Sequence, residues 1–408
     1  MAGELKRVAL VAMHTSPAAP PGTGDSGGMN VALLALAGHL ASRGIEVDLL
    51  TRATSAPETR ALSPGVRLCE LAAGGPGELR KERLPEAADE FGEAVAELAG
   101  RASTRYDLIH AHYWLSGLAT LPVAIELGLP FVQTFHTIGA MKNRHRAPGE
   151  SLEPELRLRT EEYLAGQASA VVAVSAAEAT SLIDDVRAPA DRIWVIPPGV
   201  DVDLFAPREG DAAIRERFGI RPGRPILTVV GRVQPLKDQE LAILALAELR
   251  AGGEAELPVL VIAGEATPGS QDYLAGLRRL AARTGVGDSV LFAGALPRRE
   301  LAELLSAASL TLVPSHSETF CLVALESAAS GTPVLGFRGT GLLESVAEGV
   351  SGRLIDSRDP KAWAIEIAGL LSDRTRLAAL SASARRHADA FTWRAAAASM
   401  IGLYRSLL

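Results

Sequence analysis

The sequence predicts an α/β protein built as two Rossmann-like domains placed end to end. Three observations carry this. At 408 residues the chain is too long for one ordinary core and suits two domains of about 200 residues each. Short, nearly all-apolar runs alternate with helical patterns, as buried parallel strands and their crossover helices do. Midway, Pro197, Pro198, Gly199, Val200 and Asp201 interrupt the rhythm as a turn-forming linker. The boundary is therefore placed at residue 200. Residues 1–200 form the first domain, residues 201–389 the second, and the last helix, 390–408, is expected to pack back on the first.

The elements follow in order. Arg7–Ala12 (RVALVA) is an apolar strand, and the Gly-rich loop Pro21–Asn30 (PGTGDSGGMN) comes after it. In Val31–Arg43 the residues Val31, Leu34, Ala37 and Leu40 share one helix face, and Gly44 stops the helix. Glu46–Leu50 completes a βαβ unit, which must be right-handed and parallel. Further strands are expected at Asp107–His110, Phe131–Gln133, Ala170–Val174 and Arg192–Pro197. A second set begins at Pro225–Val230, enters the loop Gly231–Asp238, and continues at Pro258–Ala263, Val290–Ala293, Leu310–Pro314 and Pro333–Gly336. Arg299–Ala307 is one of the helices between them, and Trp393–Leu408 is a final helix with no strand after it.

Composition excludes several functions. Apolar residues at 48% and charged residues at 22% mark a globular chain. A net charge of −7 leaves no basic excess to neutralise nucleic-acid phosphates. Cys69 and Cys321 are the only cysteines, so neither a disulfide framework nor metal-ligand spacing exists. Met1–Arg7 lacks the apolar core of a signal peptide, and no apolar run reaches the roughly 18 residues of a membrane span. The expectation is a cytoplasmic protein with no membrane partner, no metal and no cofactor. A homodimer is the usual state of such α/β enzymes.

Four local patterns carry chemistry. Gly231, Arg232 and Lys237 follow a strand directly. Cations there suit a phosphate, although an exposed loop pair would read the same way. Glu318 and Glu326 are eight apart, within about 80° of each other on one helix, so both could face one ligand. An acidic helix start is the plainer alternative. Gly27 and Gly28, with Met29 and Asn30, let backbone N–H groups approach an anion at a helix start, unless the loop is only a tight turn. His136 lies just past an apolar strand, where either a ligand-facing or a buried core histidine could stand.

Together these patterns resemble family 4 of the retaining glycosyltransferases, which have the GT-B fold, with substrates in the cleft between the domains. The resemblance spans essentially the whole chain. It implies that Arg232 and Lys237 hold the donor diphosphate. Glu318 would meet sugar hydroxyls, Glu326 the ribose, and His136 the transferred sugar. Gly27, Gly28, Thr319, Phe320, Cys321 and Leu322 would complete the nucleotide-sugar site. Cys321 departs from the family, which usually has Gly there; a Cβ and sulfur would crowd the phosphate or sugar. The segments His14–Asn30 and Tyr106–Gly117 look like one branch, the inositol-phosphate N-acetylglucosaminyltransferases of mycothiol biosynthesis. That likeness implies an acceptor phosphate bound by Lys81, Tyr113, Thr137 and Arg157, with Asn30 on a ring hydroxyl.

The resemblance implies a retaining, metal-independent transfer in which the leaving phosphate takes the acceptor proton, and what the chain lacks fits this. The chain has neither a carboxylate pair suited to double displacement nor an Asp-x-Asp metal motif in a nucleotide loop. Asp184 and Asp185 are adjacent in a helical pattern and read as solvated. Other readings stay open: a paralogue in secondary metabolism with another donor, such as a GDP-sugar, and a carboxylated or thiol acceptor; a sugar-nucleotide binding protein without turnover; and a GT-B-like phosphorylase. The last needs a lysine-bound pyridoxal phosphate, which no segment suggests.

Overall fold

The computed structural model describes residues 4–101, 104–254 and 256–408; Met1–Gly3, at the head of the segment read as lacking a leader, lie outside them. Among the described residues the first half carries eight strands: β1 (Arg7–Val11), β2 (Glu46–Arg52), β3 (Glu58–Ser63), β4 (Val66–Leu71), β5 (Leu108–His112), β6 (Phe131–Thr134), β7 (Ala170–Ala173) and β8 (Ile193–Val195). They pair in the order β3-β4-β2-β1-β5-β6-β7-β8, parallel throughout except for the antiparallel β3–β4 pair. The second half carries β9 (Ile226–Val230), β10 (Val259–Ala263), β11 (Val290–Gly294), β12 (Leu310–Val313), β13 (Val334–Phe337) and β14 (Gly352–Ile355). These form an all-parallel sheet in the order β11-β10-β9-β12-β13-β14.

Each sheet is sandwiched between helices. In β1, Val8 and Leu10 enter one apolar cluster while Ala9 and Val11 enter another on the opposite face, as the two-residue period of a strand dictates. The helix Gly28–Ala41 begins earlier than the apolar spacing suggests. Asn30 explains the difference: its Oδ1 accepts the Gly27 N–H at 3.0 Å, capping the first turn. The final helix, Trp393–Ser406, sends Met400, Ile401 and Tyr404 into the cluster that holds Leu10, Leu33 and Leu40, so it packs on the first half. The chain thus crosses between the halves twice, side by side. Val200 donates its N–H to the Phe391 carbonyl at 2.9 Å and bridges Thr392. Gly199 is pressed so closely there that a Cβ would lie 2.1 Å from the Trp393 nitrogen.

Three strands escape the sequence reading. β3 is solvent-exposed along nearly all its length and has no apolar period; β4 and β14 are short runs interrupted by arginine. Asp185 is also placed differently from expectation. It is held by the Ser181 hydroxyl at 2.6 Å and pairs with Arg144, whereas Asp184 is exposed.

Candidate active site in the cleft

In both sheets the strand order reverses beside a central strand, between β1 and β5 in the first and between β9 and β12 in the second. Crevices open at the carboxyl ends of strands at such points, and here the two face each other. The cavity between them has a volume of about 390 Å³ and is lined from both halves.

The second half supplies two cations. Arg232 follows β9 directly, and its carbonyl is steadied by the Gln239 amide at 3.0 Å. Lys237 ends the short turn Pro235–Lys237. Each meets a carboxylate: Arg232 is 3.0 Å from Asp25 of the first half, and Lys237 is 2.6 Å from Glu318. The shared-helix expectation for the two glutamates is corrected. The helix is Leu322–Ala329, so Glu326 lies on it while Glu318 lies in the preceding loop. There its own N–H is tied to the Thr340 hydroxyl at 2.9 Å. Both still line the cavity, and Glu326 is buried against Arg298 at 2.8 Å.

Thr319, Phe320, Cys321 and Leu322 line the cavity as well. Phe320 does so from a buried position, its ring packed against Phe391 with centroids 5.9 Å apart, so its side chain belongs to the core. Thr319 donates its hydroxyl to the His136 carbonyl at 2.8 Å, a direct bond across the cleft. Gly28, at the start of its helix, faces Leu322 closely: a Cβ there would stand 3.3 Å from the leucine Cδ1. Gly27 lines the cavity beside it.

Lys81, Tyr113, Thr137 and Arg157 come together from four segments around one ring. Lys81 Nζ lies 5.6 Å and the Arg157 guanidinium 5.1 Å from the Tyr113 centroid. Arg157 is 1% exposed and almost fully engaged: Nε to Glu161 at 2.7 Å, Nη1 to Glu153 at 2.8 Å, and Nη2 to the Thr137 carbonyl and hydroxyl at 2.7 and 3.0 Å. Burial alone would pull this guanidinium down, but Tyr113, Glu161 and Glu153 hold it above its ordinary value. Asn30 does not join the lining. Besides capping Gly27, its amide donates to the Ser16 carbonyl at 2.7 Å and to Thr15 at 3.3 Å, so it shapes the loop and has no free group to aim at a ring hydroxyl.

His136 lines the cavity at a φ of 60°, and burial pushes it down to about 4, so it is neutral. His14 lines the wall too, its ring tilted against Tyr113 with centroids 4.3 Å apart, and burial followed by Lys81 keeps it neutral. Sequence reasoning passed over His14, Asp25, Arg298 and the Glu153/Glu161 pair. The spacing of four on either side of Arg157 was the visible signal for the last.

Residues 26–204 match the family model described as Glycosyltransferase Family 4, and residues 211–387 match Glycosyl transferases group 1. A protein of Segniliparus rotundus named D-inositol 3-phosphate glycosyltransferase is 42% identical over 99% of this chain and 90% of its own. The chain belongs to family 4 of the glycosyltransferases. This family 4 glycosyltransferase also resembles sucrose-phosphate synthase from Thermosynechococcus elongatus, at 31% identity and a TM-score of 0.88 over 98% of this chain and 99% of that one. It shares its fold with Anabaena HepE, whose structure is a complex with UDP-glucose, at 21% identity and a TM-score of 0.78 over 98% and 100%. The glycosyltransferase therefore has the GT-B architecture. No helix among its described residues is long and apolar enough to cross a membrane.

Among the residues the glycosyltransferase holds at positive φ, Cys321 bears on the donor site. Cys321 has a φ of 75°, in the left-handed region where a Cβ is strained. Its side chain packs against the apolar cluster of Val313, Ala324 and Leu342. Cys321→Gly should stabilise the fold by about 1 kcal/mol, relief of strain exceeding the lost sulfur packing. Urea unfolding measures this, and a variant no more stable than the parent would show that the backbone accommodates the side chain freely.

Proposed function

We propose that this enzyme transfers N-acetylglucosamine from UDP-GlcNAc to inositol phosphate, with retention of configuration and without a metal ion. The observation that carries the acceptor half is the convergence of Lys81, Tyr113, Thr137 and Arg157 on one wall of the cleft. Arg157 has five N–H donors and makes four contacts within the protein. Most of the positive charge offered to an acceptor phosphate therefore comes from the exposed Lys81, with the Thr137 hydroxyl and the Tyr113 phenol beside it. The name borne by the Segniliparus relative supports the same acceptor.

On the donor side, the bond from the sugar's anomeric carbon to the β-phosphate oxygen breaks while the bond to the acceptor oxygen forms on the same face. The acceptor hydroxyl proton passes to the departing phosphate. Arg232 and Lys237 stabilise the charge that grows on that phosphate, a contribution largest in a cleft shielded from water. Gly28, close against Leu322, leaves room for the phosphate to approach the backbone.

An acceptor panel tests this reading: inositol, inositol phosphate and carboxylated small molecules, each with UDP-, GDP- and ADP-sugars, read by mass spectrometry after exhaustive chelation. Transfer from UDP-GlcNAc to inositol phosphate is the expected result. Transfer only to a carboxylated acceptor would point to the paralogue in secondary metabolism. Preference for neutral inositol over every anion, or activity restored only by added Mg²⁺ or Mn²⁺, would overturn the corresponding half.

A further inference from the structure

Beneath the cleft three histidine rings, two on β5 and one just beyond β6, stand in a row. His110 and His112 close β5, and His136 stands just beyond β6; successive ring centroids are 4.1 and 5.1 Å apart. His110 is tied at both nitrogens, Nδ1 to the Tyr404 hydroxyl at 2.6 Å and Nε2 to the Thr134 hydroxyl at 2.8 Å. His112 Nδ1 lies 2.8 Å from His136 Nε2. The other nitrogen of His112, Nε2, is buried with no hydrogen-bond partner among the described residues.

Two neutral rings joined by one hydrogen bond can share their protons in two ways. If His136 donates from Nε2, His112 must carry its proton on Nε2, where a buried N–H would have no acceptor. If His112 donates from Nδ1, its bare Nε2 lacks only a donor, and His136 keeps its proton on Nδ1. Orphaned buried N–H groups are the rarer of the two defects. We propose that His112 is a positioning residue. It donates Nδ1–H to His136 Nε2, fixes His136 as the Nδ1–H tautomer, and so makes His136 a hydrogen-bond donor toward the sugar. Burial supports the premise that neither ring is charged: it lowers His136 to about 4 and His112 well below its usual value, with His110 adding to the effect on His112. The partner of a histidine commonly decides in this way which ring nitrogen carries the proton.

The identity of the recognised group as a sugar oxygen rests on the function proposed above; the tautomer does not. The sugar position facing His136 must then offer a lone pair, so a hydroxyl or carbonyl oxygen is accepted and an ammonium is refused. The experiment records ring ¹⁵N resonances of the histidine-labelled full chain at neutral pH, with the kinetics of His112→Phe and His112→Asn. In the parent, His136 should be the Nδ1–H form. In His112→Phe it should shift toward the Nε2–H form, with kcat lowered about tenfold or more. His112→Asn can place an amide N–H where Nδ1 was, so it should restore both. A parent His136 protonated at Nε2, or a tautomer unchanged in folded His112→Phe, would overturn the proposal. The ring-nitrogen readout decides it even where no sugar donor turns over.

Discussion

Alanine at Arg232 or at Lys237 should lower kcat/KM by about 10²-fold or more, because each removes a cation from the place where the leaving phosphate gains charge. The two are not equivalent. Arg232 reaches across the cleft to Asp25, so its loss also removes a bond between the halves. Lys237 belongs with Glu318, whose side chain is only 10% exposed, so its loss leaves a shielded carboxylate facing the phosphate site. Lys237→Ala should therefore raise the donor KM more, through repulsion. The double variant should fall short of the summed losses, since both cations act on one developing charge. Steady-state kinetics on variants with unchanged melting curves measures this, and full turnover in the folded double variant would falsify the assignment.

Arg157→Ala should cost about 3–5 kcal/mol of stability as well as acceptor binding, because it strands the buried carboxylate of Glu161 and takes one of two cations from the half-buried Glu153. Lys142 still pairs with Glu153, so Glu161, 1% exposed and keeping only the Gly139 N–H, is the more damaged partner. Burial already raises Glu161 above its ordinary value even with Arg157 present. Without the guanidinium it rises further, and a carboxyl with a raised folded value favours the fold while protonated and opposes it once ionised. The deficit should widen between about pH 5 and pH 8. Urea unfolding of parent and variant at both pH values tests this. A deficit independent of pH would mean that another group, not Glu161, bears the loss. Arg157→Lys keeps the charge without the planar fork and should fall between.

The parts of the molecule legible in the sequence are those where one face or both are apolar. β1, β9, β10 and β12 are nearly continuous hydrophobic runs, and the loops after β1 and β9 carry glycine beside charge, so those loops stood out as ligand-facing before any coordinates. β3, with its ETRALS sequence, has no buried face to leave a trace. The site was legible as residue types in place but not as partnerships. Glu318 and Glu326 looked like neighbours on a helix because spacing cannot reveal that the helix starts at Leu322. Asn30 looked free because its Ser16 partner lies fourteen residues away. His112 lay in the segment Tyr106–Gly117 with no role of its own, since only the fold shows which ring stands beside it.

The paired crossing at Val200 and Thr392 sets how the two halves can move. A single connecting strand would act as a swivel, free to twist as well as bend. Two crossings joined by the bridge of Val200 to Phe391 and Thr392 favour one soft direction, rotation about the line that joins them, over shear and torsion, as the spine of a book does. Asp25 and Arg232, Thr319 and His136, and Gly28 and Leu322 then meet as facing pages, whose register is set at the binding rather than searched for at each closure. Gly199 is the stitch in that spine: its missing side chain lets the two crossing segments lie close enough to share one axis.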